Sequence, residues 1–168
     1  DTAVEIAKDE KIDDWELFYY RALLMYKGKS YKTALGALES VTELEPKCIK
    51  AMVLKGEIRF VMKDYNYAIK ELNEAIKMMP AEKPDYAAYK LRAKSKFEVK
   101  DFKGAVTDWN VYIEALPGEE ESLISRGAAK INVKDNTGAI ADFDEAIKLN
   151  GKNAVSYCYR AVAKSENK

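Results

Sequence analysis

The sequence contains no histidine. That removes the commonest general base, the usual nitrogen ligand of zinc and every histidine-containing triad. Any chemistry would have to come from thiols, hydroxyls, carboxylates and amines. Cys48 and Cys158 lie far apart and in no metal-ligand spacing, so they read as two unrelated thiols rather than a disulfide framework or a metal knuckle. The run Glu119-Glu120-Glu121 falls at the start of a helical stretch, where negative charge is the ordinary solvated and dipole-favoured arrangement. Asp64 and Asp101 precede helical stretches and read as caps rather than metal ligands. No GxxxxGK phosphate loop occurs. The chain is therefore expected to be no enzyme, with no catalytic residue, no cofactor and no metal.

Recognition is the remaining chemistry, and the charge balance narrows it. Lysine plus arginine number 28, as do aspartate plus glutamate, so no basic field favours nucleic acid or an anionic membrane. No apolar stretch is long enough to span a bilayer, so no direct membrane insertion is expected. No stretch reads as a signal peptide. The first residue is Asp1 rather than methionine, which reads as a mature product or a piece of a longer chain whose targeting segment is lost. The compartment stays undetermined.

The elements that must position any binding residue come from an internal repeat. Four stretches align: SYKTALGALESVTELEP from Ser30, DYNYAIKELNEAIKMMP from Asp64, DFKGAVTDWNVYIEALP from Asp101 and DNTGAIADFDEAIKLNG from Asp135. Their shared alanines, Ala34, Ala68, Ala105 and Ala139, are 34, 37 and 34 residues apart. Each stretch has helical periodicity, as in Ala68, Leu72, Ala75 and Ile76. Ser30, Asp64, Asp101 and Asp135 occupy N-cap slots, and Pro46, Pro80, Pro117 and Gly151 follow the far ends. A partner helix precedes each, marked by the small residues Ala22, Gly56, Ala93 and Gly127, with Ala161 continuing the series. A large residue four places earlier (Phe18, Met52, Tyr89, Leu123, Tyr157) is expected to wedge into the neighbouring helix. A basic residue stands just before each small one: Arg21, Lys55, Arg92, Arg126 and Arg160. Its stem is expected to pack between helices while its charge reaches solvent or a neighbouring carboxylate.

This pattern of large, small, aromatic, alanine, aromatic, alanine and proline resembles the tetratricopeptide-repeat (TPR) family over nearly the whole chain. The second repeat carries it as Met52, Gly56, Tyr65, Ala68, Leu72, Ala75 and Pro80. The resemblance implies an all-α fold, a right-handed α-α superhelix (solenoid) of antiparallel helix pairs. The expected layout is the end of a preceding repeat helix and linker at 1–14, where Val4 and Ala7 stand one repeat before Leu38 and Val41. Repeats follow at 15–48, 49–85 (with a longer loop), 86–119 and 120–153, and a capping helix at 154–168.

The resemblance also implies a concave groove lined by first helices. Its expected residues are Tyr19, Leu23, Tyr26 and Lys27; then Val53, Glu57 and Phe60; then Lys90, Lys94 and Phe97; then Ile124, Ala128, Ile131 and Asn132. Tyr26, Phe60, Phe97 and Ile131 share one slot and form either an apolar stripe for a peptide or part of the inter-repeat core. Lys27, Lys90 and Lys94 are placed to accept an acidic group. The family's carboxylate clamp for chaperone tails is not expected, because Tyr19, Leu23, Leu54, Ala87 and Leu91 occupy its slots. The function implied is a protein-interaction module or adaptor holding a protein or peptide. The alternatives are self-association through the solenoid ends, or a scaffold domain of a longer multidomain protein.

Overall fold

A computed structural model describes residues 14–167. The expected helix end and linker over 1–13, with Val4 and Ala7, and the last residue of the expected capping helix, Lys168, lie outside the described residues. Every described element is helical: α1 (Asp14–Lys27), α2 (Tyr31–Leu44), α3 (Ile49–Val61), α4 (Tyr65–Met78), α5 (Tyr86–Glu98), α6 (Phe102–Ala115), α7 (Glu120–Asn132), α8 (Asn136–Leu149) and α9 (Ala154–Glu166). The aligned stretches are thus α2, α4, α6 and α8. The chain divides into two compact units between Pro80 and Ala81. In the first, α1 pairs with α2, α3 with α4, and α2 packs on α3. In the second, α5 pairs with α6 and α7 with α8; α6 packs on α7, and α9 on α8.

One turn closes all four hairpins. At the first, the Lys29 amide donates to the Tyr26 carbonyl at 2.9 Å and the Ser30 amide to the Met25 carbonyl at 2.8 Å. That pair of bonds is a Schellman ending, which needs a left-handed residue at its corner. A lysine fills that corner every time, with φ of 59° at Lys29, 63° at Lys63, 64° at Lys100 and 66° at Lys134. The residue after it begins the next helix. Asp101 and Asp135 cap it as expected, accepting from the Gly104 amide at 3.0 Å and the Gly138 amide at 2.9 Å. Ser30 and Asp64 hold the same slot but make no side-chain cap bond. The Asp64 carboxylate turns instead to Arg59 Nη1 at 3.2 Å.

The small residues do what their spacing demands. Ala22 and Ala93 are fully buried, and Gly56 and Gly127 are buried too. A Cβ on Gly127 would lie 2.7 Å from the Phe143 ring, and one on Gly56 would lie 2.7 Å from Leu72 Cγ. The helices of these hairpins therefore meet at backbone distance, sealing Phe143 and Leu72 from water. Burying such a side chain is worth roughly 1.5–3 kcal/mol. The first unit has one cluster around Leu38, Leu54 and Ile58. The second has clusters around Trp109 and Leu123 and around Phe143. Among the described residues no second helix follows α9, and Ala161 at the end of the small series is exposed.

Candidate functional site

In the first unit α1 supplies Tyr19, Leu23, Tyr26 and Lys27, and α3 supplies Val53, Glu57 and Phe60. All are half-buried except Lys27, which is exposed and makes no hydrogen bond or ion pair among the described residues. The Tyr26 hydroxyl donates to Glu57 Oε1 at 2.9 Å and ties the two helices together. Burial first, then the bond to Glu57, pushes the Tyr26 phenol up to about 12. Burial also raises Tyr19, helped by Cys48 and Tyr20 beside it. Tyr26 leans on Tyr31 with ring centres 6.0 Å apart, and Phe60 meets Tyr65 edge-on at 5.5 Å. These rings therefore anchor the turns of their own hairpins. Leu23 and Val53 are half-buried aliphatic groups of these slots, Leu23 packing with one side on the buried cluster of this unit.

In the second unit the slots are largely committed to internal contacts. Lys90 donates to Glu119, over the ring of Tyr112, and Lys94 donates to Glu121 at 2.7 Å. Burial disfavours the charged Lys90, but the Glu119 hydrogen bond overcomes it and raises the amine above its ordinary value. Burial likewise opposes ionisation of Glu119, and hydrogen bonds from Lys90, Ser122 and Tyr112 win, holding it below the usual carboxylate range. The hydrogen bond from Lys94 holds Glu121 low as well. The two lysines expected to receive an acidic group already hold one from their own chain. Phe97 packs edge-on against Phe102 at 5.2 Å. Ile124 and Ile131 pack onto the buried clusters. Ala128 is 8% exposed, too little for a contact residue, and Asn132 Nδ2 donates to its carbonyl at 2.9 Å.

Sequence reasoning missed the carboxylates that organise this unit. Asp108 is 1% exposed and accepts from Arg92 Nε at 2.8 Å and Nη2 at 2.6 Å, with Lys96 Nζ at 2.9 Å. Asp142 is 3% exposed and repeats the arrangement with Arg126 Nε at 3.0 Å, Nη2 at 2.6 Å and Lys130 Nζ at 2.9 Å. The signal was present: an aspartate three places after the repeat alanine, with basic residues flanking the small one at −1 and +3. The rest of the basic row is internal too, with Lys55 on the Thr42 hydroxyl at 3.1 Å and Arg160 on Asp144 at 2.6 Å. Arg21 alone stands exposed. Cys48 is buried and Cys158 exposed, and both are free thiols.

Among the described residues no group of three or more histidine, cysteine, aspartate or glutamate residues could hold a metal ion. No described helix is long and apolar enough to cross a membrane.

No family model matches the sequence, and no curated protein matches it either. Solved structures do. The chain is similar to YrrB, described as a TPR protein with an unusual peptide-binding site, at a TM-score of 0.89 and 14% identity; the likeness covers 99% of this chain and 84% of that one. It is similar to MamA (residues 41 to the end) from Desulfovibrio magneticus at a TM-score of 0.78 and 16% identity, over 92% of both chains. The TPR domain of Arabidopsis OM64 matches at a TM-score of 0.61 and 24% identity, over 70% of this chain and 94% of that one.

Proposed function

The chain has the tetratricopeptide-repeat fold, and on that premise we propose that it is a protein-interaction module whose first-helix face in the first unit holds an apolar polypeptide segment. The observation that supports this most is the contrast between the two units. In the second, the lysines are paired, Ala128 is buried and Asn132 is bonded back to its own helix. In the first, Leu23 and Val53 are half-buried beside the Tyr26–Glu57 bond, and Lys27 is an exposed, uncommitted cation. Aliphatic and aromatic anchors rimmed by one charge are the usual material of a peptide-binding hot spot. The peptide-binding site ascribed to YrrB agrees with such a role. Tyr26 and Phe60 brace the hairpin turns of this unit rather than form the contact surface.

The test is capture from native extract with the wild-type chain, a Leu23→Asp/Val53→Asp variant and a Tyr67→Ser control, all first shown equally helical. Tyr67 is 58% exposed on α4. A partner held by wild type and control but lost by the face variant, and then bound directly as a purified protein, would support the reading. Equal capture by all three would sink it.

A second reading rests on α9. Val155, Tyr157, Tyr159 and Val162 are 40–48% exposed on this one helix, which suits self-association between copies. Sedimentation equilibrium would show a mass rising with concentration and reduced by Val155→Glu/Val162→Glu; a constant monomer mass would remove this reading.

A further inference from the structure

The buried ion pairs of the second unit have an incomplete counterpart in the first. Arg92 binds Asp108 and Arg126 binds Asp142, sixteen residues further on in each case. The same two slots in the first hairpin hold Arg21 and Ala37. The guanidinium is kept and the carboxylate is missing. Where that carboxylate would sit there is a cavity of about 250 Å³, lined by Arg21, Thr33 and Ser40 among polar residues and by Phe18, Met25 and Ala37 among apolar ones. A Cβ added to Gly36, also on its wall, would meet nothing within 4 Å. Arg21 makes no hydrogen bond or ion pair among the described residues. Leu24, one turn along on the same side of α1, is 72% exposed.

We propose that this cavity is a carboxylate site, built to take an aspartate or glutamate side chain carried on an apolar polypeptide segment. The acid takes the slot that Asp108 and Asp142 fill in their own hairpins. Arginine presents a planar fork that matches a carboxylate in two-point contact. The Thr33 and Ser40 hydroxyls are donors for the remaining lone pairs. Phe18 and Met25 offer apolar walls to the methylene stem. Exposed Leu24 alongside favours an apolar residue next to the acid, hence a polypeptide over a free small acid. The same chemistry has two sources. One is a partner protein. The other is this chain's own residues 1–13, which carry Val4-Glu5-Ile6. Glu5 precedes Arg21 by sixteen residues, the separation at which Asp144 meets Arg160 and Asn110 meets Arg126.

The experiment is a ¹⁵N-resolved NMR titration of the full chain with two probes, acetyl-Leu-Glu-Leu-amide and its uncharged analogue acetyl-Leu-Gln-Leu-amide, at millimolar concentration. The acidic peptide is expected to shift the Gly36, Ala37 and Ser40 amides and the neutral one to bind about tenfold more weakly or not at all. Arg21→Gln, at an exposed position, should abolish the response while leaving the spectrum otherwise intact. Ala37→Asp should also abolish it, by supplying the missing acid internally, and should raise the melting temperature. A silent wild type that becomes responsive on Glu5→Gln, Asp9→Asn, Glu10→Gln and Asp13→Asn substitution assigns the acid to the chain itself. No response in either background overturns the proposal, as does an equal response to both peptides or one that survives Arg21→Gln.

Discussion

Asp142→Ala is expected to destabilise the chain by about 3 kcal/mol, whereas Asp144→Ala, two residues away on the same helix, is expected to stay within about 0.5 kcal/mol. Asp142 is 3% exposed and receives three charged N–H bonds at 2.6–3.0 Å. Such bonds are worth roughly 1.5–3 kcal/mol singly but do not add. Removing one partner of a buried pair costs about 3–5 kcal/mol, because the other charge is left unpaired. Two effects reduce this. Alanine is the better helix former by about 0.5 kcal/mol, and the Arg126 and Lys130 side chains retain 16% and 14% exposure through which to rehydrate. Asp144 is 45% exposed and its partner Arg160 27%, so solvent already screens that pair. Urea denaturation followed by circular dichroism measures both variants, with equal slopes required for comparison. The larger loss corresponds to a melting temperature lower by roughly 6–12 °C. Equal costs for the two substitutions would refute the claim that burial decides the worth of these aspartates.

The same glycine substitution should act with opposite sign at two places. Gly127→Ala forces a methyl to within 2.7 Å of the sealed Phe143 ring, and overpacking of about 1–3 kcal/mol outweighs the roughly 1 kcal/mol gained in helix propensity. Gly36→Ala meets nothing within 4 Å and should gain about 0.5–1 kcal/mol; both are read from denaturation midpoints. Lys134→Gly relieves a left-handed lysine and should stabilise by up to about 1 kcal/mol after glycine's greater freedom in the unfolded chain is charged against it; an unchanged or lower midpoint would count against strain at this corner. In a spectrophotometric titration one phenol should ionise near 12 and vanish from the curve in Tyr26→Phe. Because the folded phenol holds its proton beyond its ordinary value of 10.0, its contribution to stability is full below that pH and is lost as pH rises toward 12.

The repeat was legible because each hairpin carries its code locally. Ala68, Leu72 and Ala75 mark the buried side of α4 at helical spacing, and Pro80 follows its end. The contact partners were much less legible, since they depend on which helices lie side by side. Glu119 and Glu121 looked like solvated charge at a helix start, yet they neutralise Lys90 and Lys94 from the neighbouring first helix. Asp64 had the type and position of a cap, but Arg59, five residues earlier, offered a stronger partner than a backbone amide. The aromatic slot repeated as expected, but its meaning turned on the residues opposite: Tyr31, Tyr65 and Phe102 supply rings that receive Tyr26, Phe60 and Phe97. Asn136 offers no ring to Ile131 in the fourth copy; its amide donates instead to the Glu166 carbonyl at 2.9 Å.

At the turns, Ser30, Asp64, Asp101 and Asp135 each finish one helix and open the next within a six-residue loop of hydrogen bonds. The hydrogen bonds that shape each turn are therefore encoded within one repeat of sequence, while the apolar cover of Leu38 is completed by Leu54 and Ile58 of the next hairpin. Short-range closure of this kind is fast compared with the rate at which a ribosome adds residues. The α1–α2 hairpin can close while α5 is still unmade. The order in which the repeats form then follows the clock of synthesis, and a truncated nascent chain would carry shaped turns but leave its last hairpin without the apolar cover that the next first helix supplies.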